Sequence, residues 1–150
     1  TRAQFAALLV RALGIDAGLV PGGHTCRDVA PDAWYFAEVE AAARAGLVQG
    51  SEGLFRPDDP VTRQELAVML IRALGHARPD LVPRMVDPAL LLAPYADAED
   101  IAPWAREAAA AAVRLGLVTG RTETTWNPNE TATRAEAAVM LSRLLKLVEL

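Results

Sequence analysis

Apolar residues recur at helical spacing in three stretches that align with one another. Phe5, Leu8, Leu9, Ala12 and Leu13 share one helical face, and Leu66, Met69, Leu70, Ala73 and Leu74 repeat it. Ala137, Met140, Leu141, Leu144 and Leu145 repeat it again. Gly14 and Gly75 then stand where a helix C-terminal glycine stands. The third stretch has Lys146 there and is expected to run on toward the terminus. Three helices with equivalent apolar faces predict an all-α fold with a small central bundle, in which Met69 and Met140 are core filler.

A second kind of element lies between these helices. Asp28-Val29-Ala30-Pro31-Asp32 leads into a predicted helix over about 33–45, with Asp32 as its N-cap and Gly46 as its stop. The equivalent begins at Asp97–Asp100 and continues as a helix over about 103–115, opened by Pro103 and ended by Gly116. Runs of alanine, Ala41–Ala43 and Ala108–Ala112, allow close helix packing. Each glycine stop is followed by Leu-Val-x-Gly, a short turn, and an aromatic-x-Pro step. The register is regular. Trp34 recurs 70 residues on as Trp104, and Gly46–Gly50 recurs as Gly116–Gly120. Phe55-Arg56-Pro57 recurs 71 residues on as Trp126-Asn127-Pro128, so the second turn is one residue longer.

Each apolar helix opens with Thr-Arg. The copies are Thr1-Arg2-Ala3-Gln4, Thr62-Arg63-Gln64-Glu65 and Thr133-Arg134-Ala135-Glu136. Thr followed three residues later by Glu or Gln is a capping box. The arginine runs against local preference, because a helix N-terminus disfavours a cation by roughly 0.3–1 kcal/mol. Repetition of that cost at one position points to a role. Arginine, free N–H groups and the helix dipole together make a site for an anion. The alternative is that each arginine pairs with a nearby carboxylate.

Composition narrows the function. With 150 residues, 52% of them hydrophobic and 23% charged, the chain is a globular domain with a real core. A net charge of −4 argues against nucleic acid as a partner. Cys26 is the sole cysteine, so an internal disulfide is excluded, and a buried small side chain is expected there. The longest apolar runs are too short to span a bilayer, and no signal peptide is visible in the chain. His24 and His76 stand alone in expected linkers, so no metal and no cofactor is expected. No carboxylate pair, nucleophile–base set or phosphate-cradling loop stands out, so the chain is not expected to be an enzyme and no catalytic residue is assigned. The stretch 78–94 carries Pro79, Pro83, Pro88 and Pro94 and reads as an ordered linker with room for one short helical turn.

The ordered set Cys26-Arg27-Asp28, Trp34, Gly46–Gly50, Phe55-Arg56-Pro57 and Thr62–Glu65 resembles the S-layer homology (SLH) repeat. So does Tyr95-Ala96-Asp97, Trp104, Gly116–Gly120, Trp126-Asn127-Pro128 and Thr133–Glu136. The resemblance implies a pseudo-threefold domain with a central three-helix bundle and three loop prongs. Its grooves would bind secondary cell-wall polysaccharide, often through a pyruvylated sugar. It implies that Arg2, Arg63 and Arg134 face the carboxylate, that Trp34 and Trp104 stack on sugar or wall the groove, and that Gln49 and Thr119 supply hydrogen bonds. It also implies an extracellular location at the bacterial cell wall, with other surface-layer or cargo proteins as further partners.

Mapped onto the chain, the single domain 1–150 divides into the back half of repeat one (1–23), repeat two (24–77), the linker (78–94) and repeat three (95–150). The front half of repeat one is missing from this pattern. The repeat therefore leads one to expect about 35–45 further residues ahead of Thr1, with another Asp and Trp in the same order. Gln49 is larger than the usual residue at its place. Asp32 and Ala102 stand two before the tryptophans, where the family often has glycine. These departures support the alternative reading, an SLH-derived structural or protein-interaction module that has lost glycan binding. They also make repeat three look the more competent of the two.

Overall fold

All three capping boxes form, and each starts a helix. The computed structural model describes residues 1–18 and 25–149. Its helices are α1 (Arg2–Ala12), α2 (Phe36–Arg44), α3 (Arg63–Ala77), α4 (Pro88–Leu92), α5 (Pro103–Arg114) and α6 (Arg134–Val148). Two 3-10 turns lie at Pro79–Leu81 and Ala98–Asp100. No strand occurs among the described residues, so the protein is all-α. In each box the threonine hydroxyl accepts the third residue's N–H, at 3.1 Å for Gln4, 3.3 Å for Glu65 and 3.1 Å for Glu136. The Gln4, Glu65 and Glu136 side chains accept the cap's own N–H in return, at 2.9, 3.1 and 3.2 Å.

The chain forms two compact units, residues 1–61 and 62–150. In the first, α1 packs on α2. Phe5, Leu9, Val10, Val39 and Leu47 are buried there. Each such side chain stabilises the fold by roughly 1.5–3 kcal/mol. In the second, α3 packs on α5 and α6, and α4 packs on α5. Leu66, Leu70, Leu74, Leu92, Leu117 and Leu144 are fully buried, and the alanine face of α5 from Ala109 to Ala112 is buried with them. Met69 and Met140 are buried, as core filler should be.

Three local expectations change. The helix expected from residue 33 begins at Phe36, and Asp32 caps nothing but stands exposed. Its counterpart α5 has Pro103 at the first helical position, with φ preset for helix, whereas the first unit has Ala33 at that place. Ala33 and Phe36 instead donate to Ala30 O and Ala33 O in three-residue turns that delay the helix. Second, α3 does not stop at Gly75 but continues to Ala77, which places His76 in its last turn. Gly14, Gly46 and Gly116 do take positive φ and end their helices. Third, the linker holds both a 3-10 turn and α4. Asp87 caps α4 by accepting from Leu90 N at 3.3 Å, and Leu92 anchors it in the core. His24 lies outside the described residues.

Candidate functional site

The two aromatic-x-Pro turns are built alike. Asp28 accepts Phe55 N at 2.8 Å and Arg56 N at 2.7 Å. Asp97 accepts Trp126 N and Asn127 N, both at 2.8 Å. The second residue of each turn, Arg56 or Asn127, has φ of 59°. That left-handed backbone is costly for a side-chain-bearing residue, and the carboxylate holding both N–H groups offsets the strain. Burial alone would raise the Asp28 carboxyl, but the N–H donors of Phe55 and Arg56, with Arg27 nearby, outweigh it and hold the group below its ordinary value of 3.8. Asp28 and Asp97 are thus turn-capping residues.

These turns receive the helix starts. In the first unit Arg2 N donates to Asp59 O at 2.9 Å and Ala3 N to Pro57 O at 3.0 Å. Arg2 Nε donates to Phe55 O at 2.8 Å, and the guanidinium lies 4.9 Å from the Phe55 ring centre. In the second unit Arg63 N donates to Glu130 O at 2.9 Å and Gln64 N to Pro128 O at 3.0 Å. Arg63 Nε donates to Trp126 O at 2.9 Å, with the guanidinium 5.5 Å from the Trp126 ring centre. The remaining Arg63 nitrogens reach Glu136 and, at 2.6 Å, Thr119 O. The N–H groups expected to hold an anion at α1 and α3 are therefore occupied by main-chain carbonyls, a non-local pairing that no local pattern announces.

The expected site residues fall into two groups. Arg2 and Arg63 are internal, at 6% and 1% exposure. Burial pushes the Arg63 guanidinium below its ordinary range, partly countered by Glu136. It remains a cation, as arginine does in proteins. Arg134, by contrast, is exposed at the start of α6. Trp34 and Trp104 are 60% and 62% exposed, while Trp126 is wholly buried. Gln49 and Thr119 are exposed, each just before a glycine against which neighbouring backbone packs closely.

Sequence reasoning missed Arg121, which bridges Glu130, Thr131 O at 3.0 Å and Glu136 at 2.7 Å. Burial would raise the Glu136 carboxyl, but hydrogen bonds from Arg121 and Thr133 N, with the Arg63 charge, carry it below its ordinary value. Arg121 sits in the turn that is one residue longer than its counterpart, and this added length was its only trace in the pattern.

The two loop units differ most beside the glycines. Tyr95 fills the second, its hydroxyl accepting Gly120 N at 3.1 Å. Cys26 stands in its place in the first, and a cleft of 290 Å³ opens there between Val39, Glu40, Gln49, Gly50 and Phe55. Glu40, itself buried, accepts Thr25 N at 2.9 Å and the Thr25 hydroxyl at 2.7 Å. Burial, with Asp28 and Glu40 adding to it, pushes the Cys26 thiol up, so it is not a thiolate nucleophile. Among the described residues no cluster of His, Cys, Asp or Glu is placed to hold a metal. No helix among them is long and apolar enough to cross a membrane.

The model of the S-layer homology domain matches residues 27–67 and 94–138. The chain belongs to the S-layer homology family. The SLH match thus spans both loop units and the starts of the two helices that follow them. Over 97% of its length the SLH chain is 33% identical to an amylopullulanase of Thermoanaerobacterium thermosulfurigenes, of which it covers 8%. It is 31% identical over 97% of its length to an exoglucanase of Acetivibrio thermocellus, covering 13% of that protein. It is 31% identical over 99% of its length to a surface-layer 125 kDa protein of Lysinibacillus sphaericus, covering 12% of it. The match to each enzyme is therefore confined to a small part of it.

Proposed function

We propose that this SLH chain is a non-catalytic module that anchors its protein to the bacterial cell wall, outside the cell, by binding secondary cell-wall polysaccharide. The observation that carries this is the pair of tryptophans. Trp34 and Trp104 occupy equivalent places in two units, and both are about 60% exposed although Trp126 shows that the fold can bury an indole fully. A large exposed aromatic repeated at one position offers an apolar face to a sugar ring. Gln49 and Thr119, exposed at equivalent positions, supply hydrogen bonds to the glycan. Arg2 and Arg63 act from behind as positioning residues, holding the turns to the helix starts. Preference for an acidic, pyruvylated sugar is the finer part of this reading. Its support is the family resemblance and the exposed guanidinium of Arg134. The kinship with a surface-layer protein and with glucan-degrading enzymes supports a tether shared by different cargoes.

The inward-facing Arg2 and Arg63 favour a second reading, a structural module without glycan binding. Calorimetry against purified wall polysaccharide, with and without its pyruvyl groups, separates the two. Trp104→Ala is expected to weaken binding by roughly 1 kcal/mol, about fivefold, with the fold intact by circular dichroism. No measurable heat with either glycan leaves the structural reading standing. Equal affinity for both removes the pyruvyl part alone.

A further inference from the structure

The two loop units part at two buried positions. The second unit has Tyr95, whose hydroxyl accepts Gly120 N, and Ala110 on α5, which is completely buried. The first unit has Cys26 in place of Tyr95 and, by the 70-residue register, Glu40 on α2 in place of Ala110. A ring and a methyl group are thus replaced by a thiol and a carboxylate. Both replacements line the cleft of 290 Å³.

Glu40 sets the chemistry of this cleft. It is 1% exposed, and its oxygens accept Thr25 N at 2.9 Å and the Thr25 hydroxyl at 2.7 Å. No cation among the described residues pairs with it. A carboxylate accepts about four hydrogen bonds, so about two acceptor places remain. Buried charges are as a rule paired, because an isolated one loses its hydration without compensation. Asp28 and Glu40 both act on the Cys26 thiol as negative charges, and Arg2, which acts against them, already commits its Nε to Phe55 O. The other walls are apolar and include Val39, Val48 and Phe55. Ligand pockets run from roughly 300 to 1,000 Å³, so a cleft of this size limits an occupant to about one ring.

We propose that this cleft is a binding site for a protonated primary amine carried on a compact apolar body, in a space that the second unit fills with Tyr95. The ammonium group donates to the remaining acceptor places of Glu40, and the body lies against Val39, Val48 and Phe55. The site goes beyond the glycan reading and does not rest on it, since Trp34, Trp104 and Arg134 do not line the cleft.

The test titrates cyclohexylamine into the isotope-labelled chain and follows its amide resonances. Saturable shifts are expected at Thr25, whose N–H donates to the same carboxylate, and at Gly50, which lines the cleft. Gly120 and Trp126, the equivalent places in the filled unit, are expected to stay still. Cyclohexanol, similar in size and uncharged, is expected to bind at least roughly tenfold more weakly, because it cannot make the charge-assisted bond. Glu40→Gln keeps an oxygen for Thr25 N and removes the charge, and is expected to lower amine affinity to that of cyclohexanol. Cys26→Tyr gives the first unit the ring of the second and is expected to abolish the shifts. The proposal falls if cyclohexylamine leaves Thr25 and Gly50 unmoved through the millimolar range. It falls equally if both probes bind alike, since the carboxylate then selects nothing, or if the amine binds the Cys26→Tyr chain at full strength, since its site then lies elsewhere. Should Glu40→Gln fail to fold, the two probes on the unaltered chain and the Cys26→Tyr variant decide the matter.

Discussion

The loop units 25–61 and 95–131 share a frame and differ in how they fill it. Both cap an aromatic-x-Pro turn with one aspartate, and both hand that turn to an arginine at a helix start. Behind the turn, Tyr95 occupies the second unit and hydrogen-bonds Gly120, while Cys26 leaves the first with a cleft of 290 Å³. Polar geometry is thus kept to within a tenth of an ångström or so, while the packing beside it varies. A misplaced hydrogen bond to a buried main-chain group costs its full desolvation, whereas an incompletely filled apolar space costs in proportion to its size.

The largest break in this comparison should come from the arginine clamp. Arg63→Ala removes a 1% exposed cation with three protein partners and takes from Glu136 one of its two arginines, leaving Arg121, so a loss of about 3 kcal/mol is expected in urea denaturation followed by circular dichroism. Arg2→Ala is the matched experiment. A similar loss assigns the effect to the carbonyl clamp common to both units, and a much smaller one assigns it to the Glu136 pair.

The glycines come next. A Cβ on Gly120 would lie 2.4 Å from Thr122 O and 2.4 Å from Tyr95 Cε1. A Cβ on Gly50 would lie 2.7 Å from Leu54 O but 3.0 Å from the smaller Cys26 side chain. Both alanine variants are expected to destabilise, Gly120→Ala by about 2–3 kcal/mol and Gly50→Ala by less, since overpacking costs of this order scale with what must move. Equal melting-temperature losses would show that the carbonyl, and not the tyrosine ring, sets the limit.

Filling the cleft should sharpen the comparison in the other direction. Cys26→Tyr places a ring where the second unit has one and a hydroxyl within reach of Gly50 N. A gain of about 0.5–2 kcal/mol is expected, read as a raised melting temperature. Loss of stability would mean that the first unit has closed around cysteine in a way the second has not.

The smallest effect is one of pH. Because the Asp28 carboxyl is held below its ordinary value of 3.8, its contribution is present above that value and is lost as pH falls through the lower folded value. Stability of the first unit should therefore fall on acidification below about 4, and Asp28→Asn should flatten that slope while lowering stability at neutral pH. An unchanged acid slope in the variant would assign it to other carboxylates.

The local grammar was legible in the sequence. The three capping boxes, the glycine stops after α1, α2 and α5, and the Pro103 start all depend on residues within one helical turn of each other. The late start of α2 was not, because Trp34 and Tyr35 carry helical spacing without the proline that fixes the first turn in α5. The direction of Arg2 and Arg63 was hidden for a different reason. Their carbonyl partners lie 53 and 63 residues away, and a main-chain carbonyl leaves no mark on residue type. The common order of turn and Thr-Arg in two repeats was the trace available. That order suits an outside anion, a nearby carboxylate or an internal carbonyl equally, because each satisfies the same donors. For Trp34 and Trp104, equivalence was legible while exposure was not, because an indole suits a core and a surface alike.

The unequal burial of the three tryptophans also makes the protein its own optical gauge. Trp126, sealed in the core beside Arg63, should emit toward the blue and resist a water-borne quencher such as acrylamide. Trp34 and Trp104, about 60% exposed, should emit toward the red and be quenched readily. One emission spectrum therefore carries two separable reports. Its blue component follows the integrity of the turn that Arg63 holds. Its red component responds to whatever comes to rest on the exposed indoles, so surface occupancy can be followed in intact protein without a label.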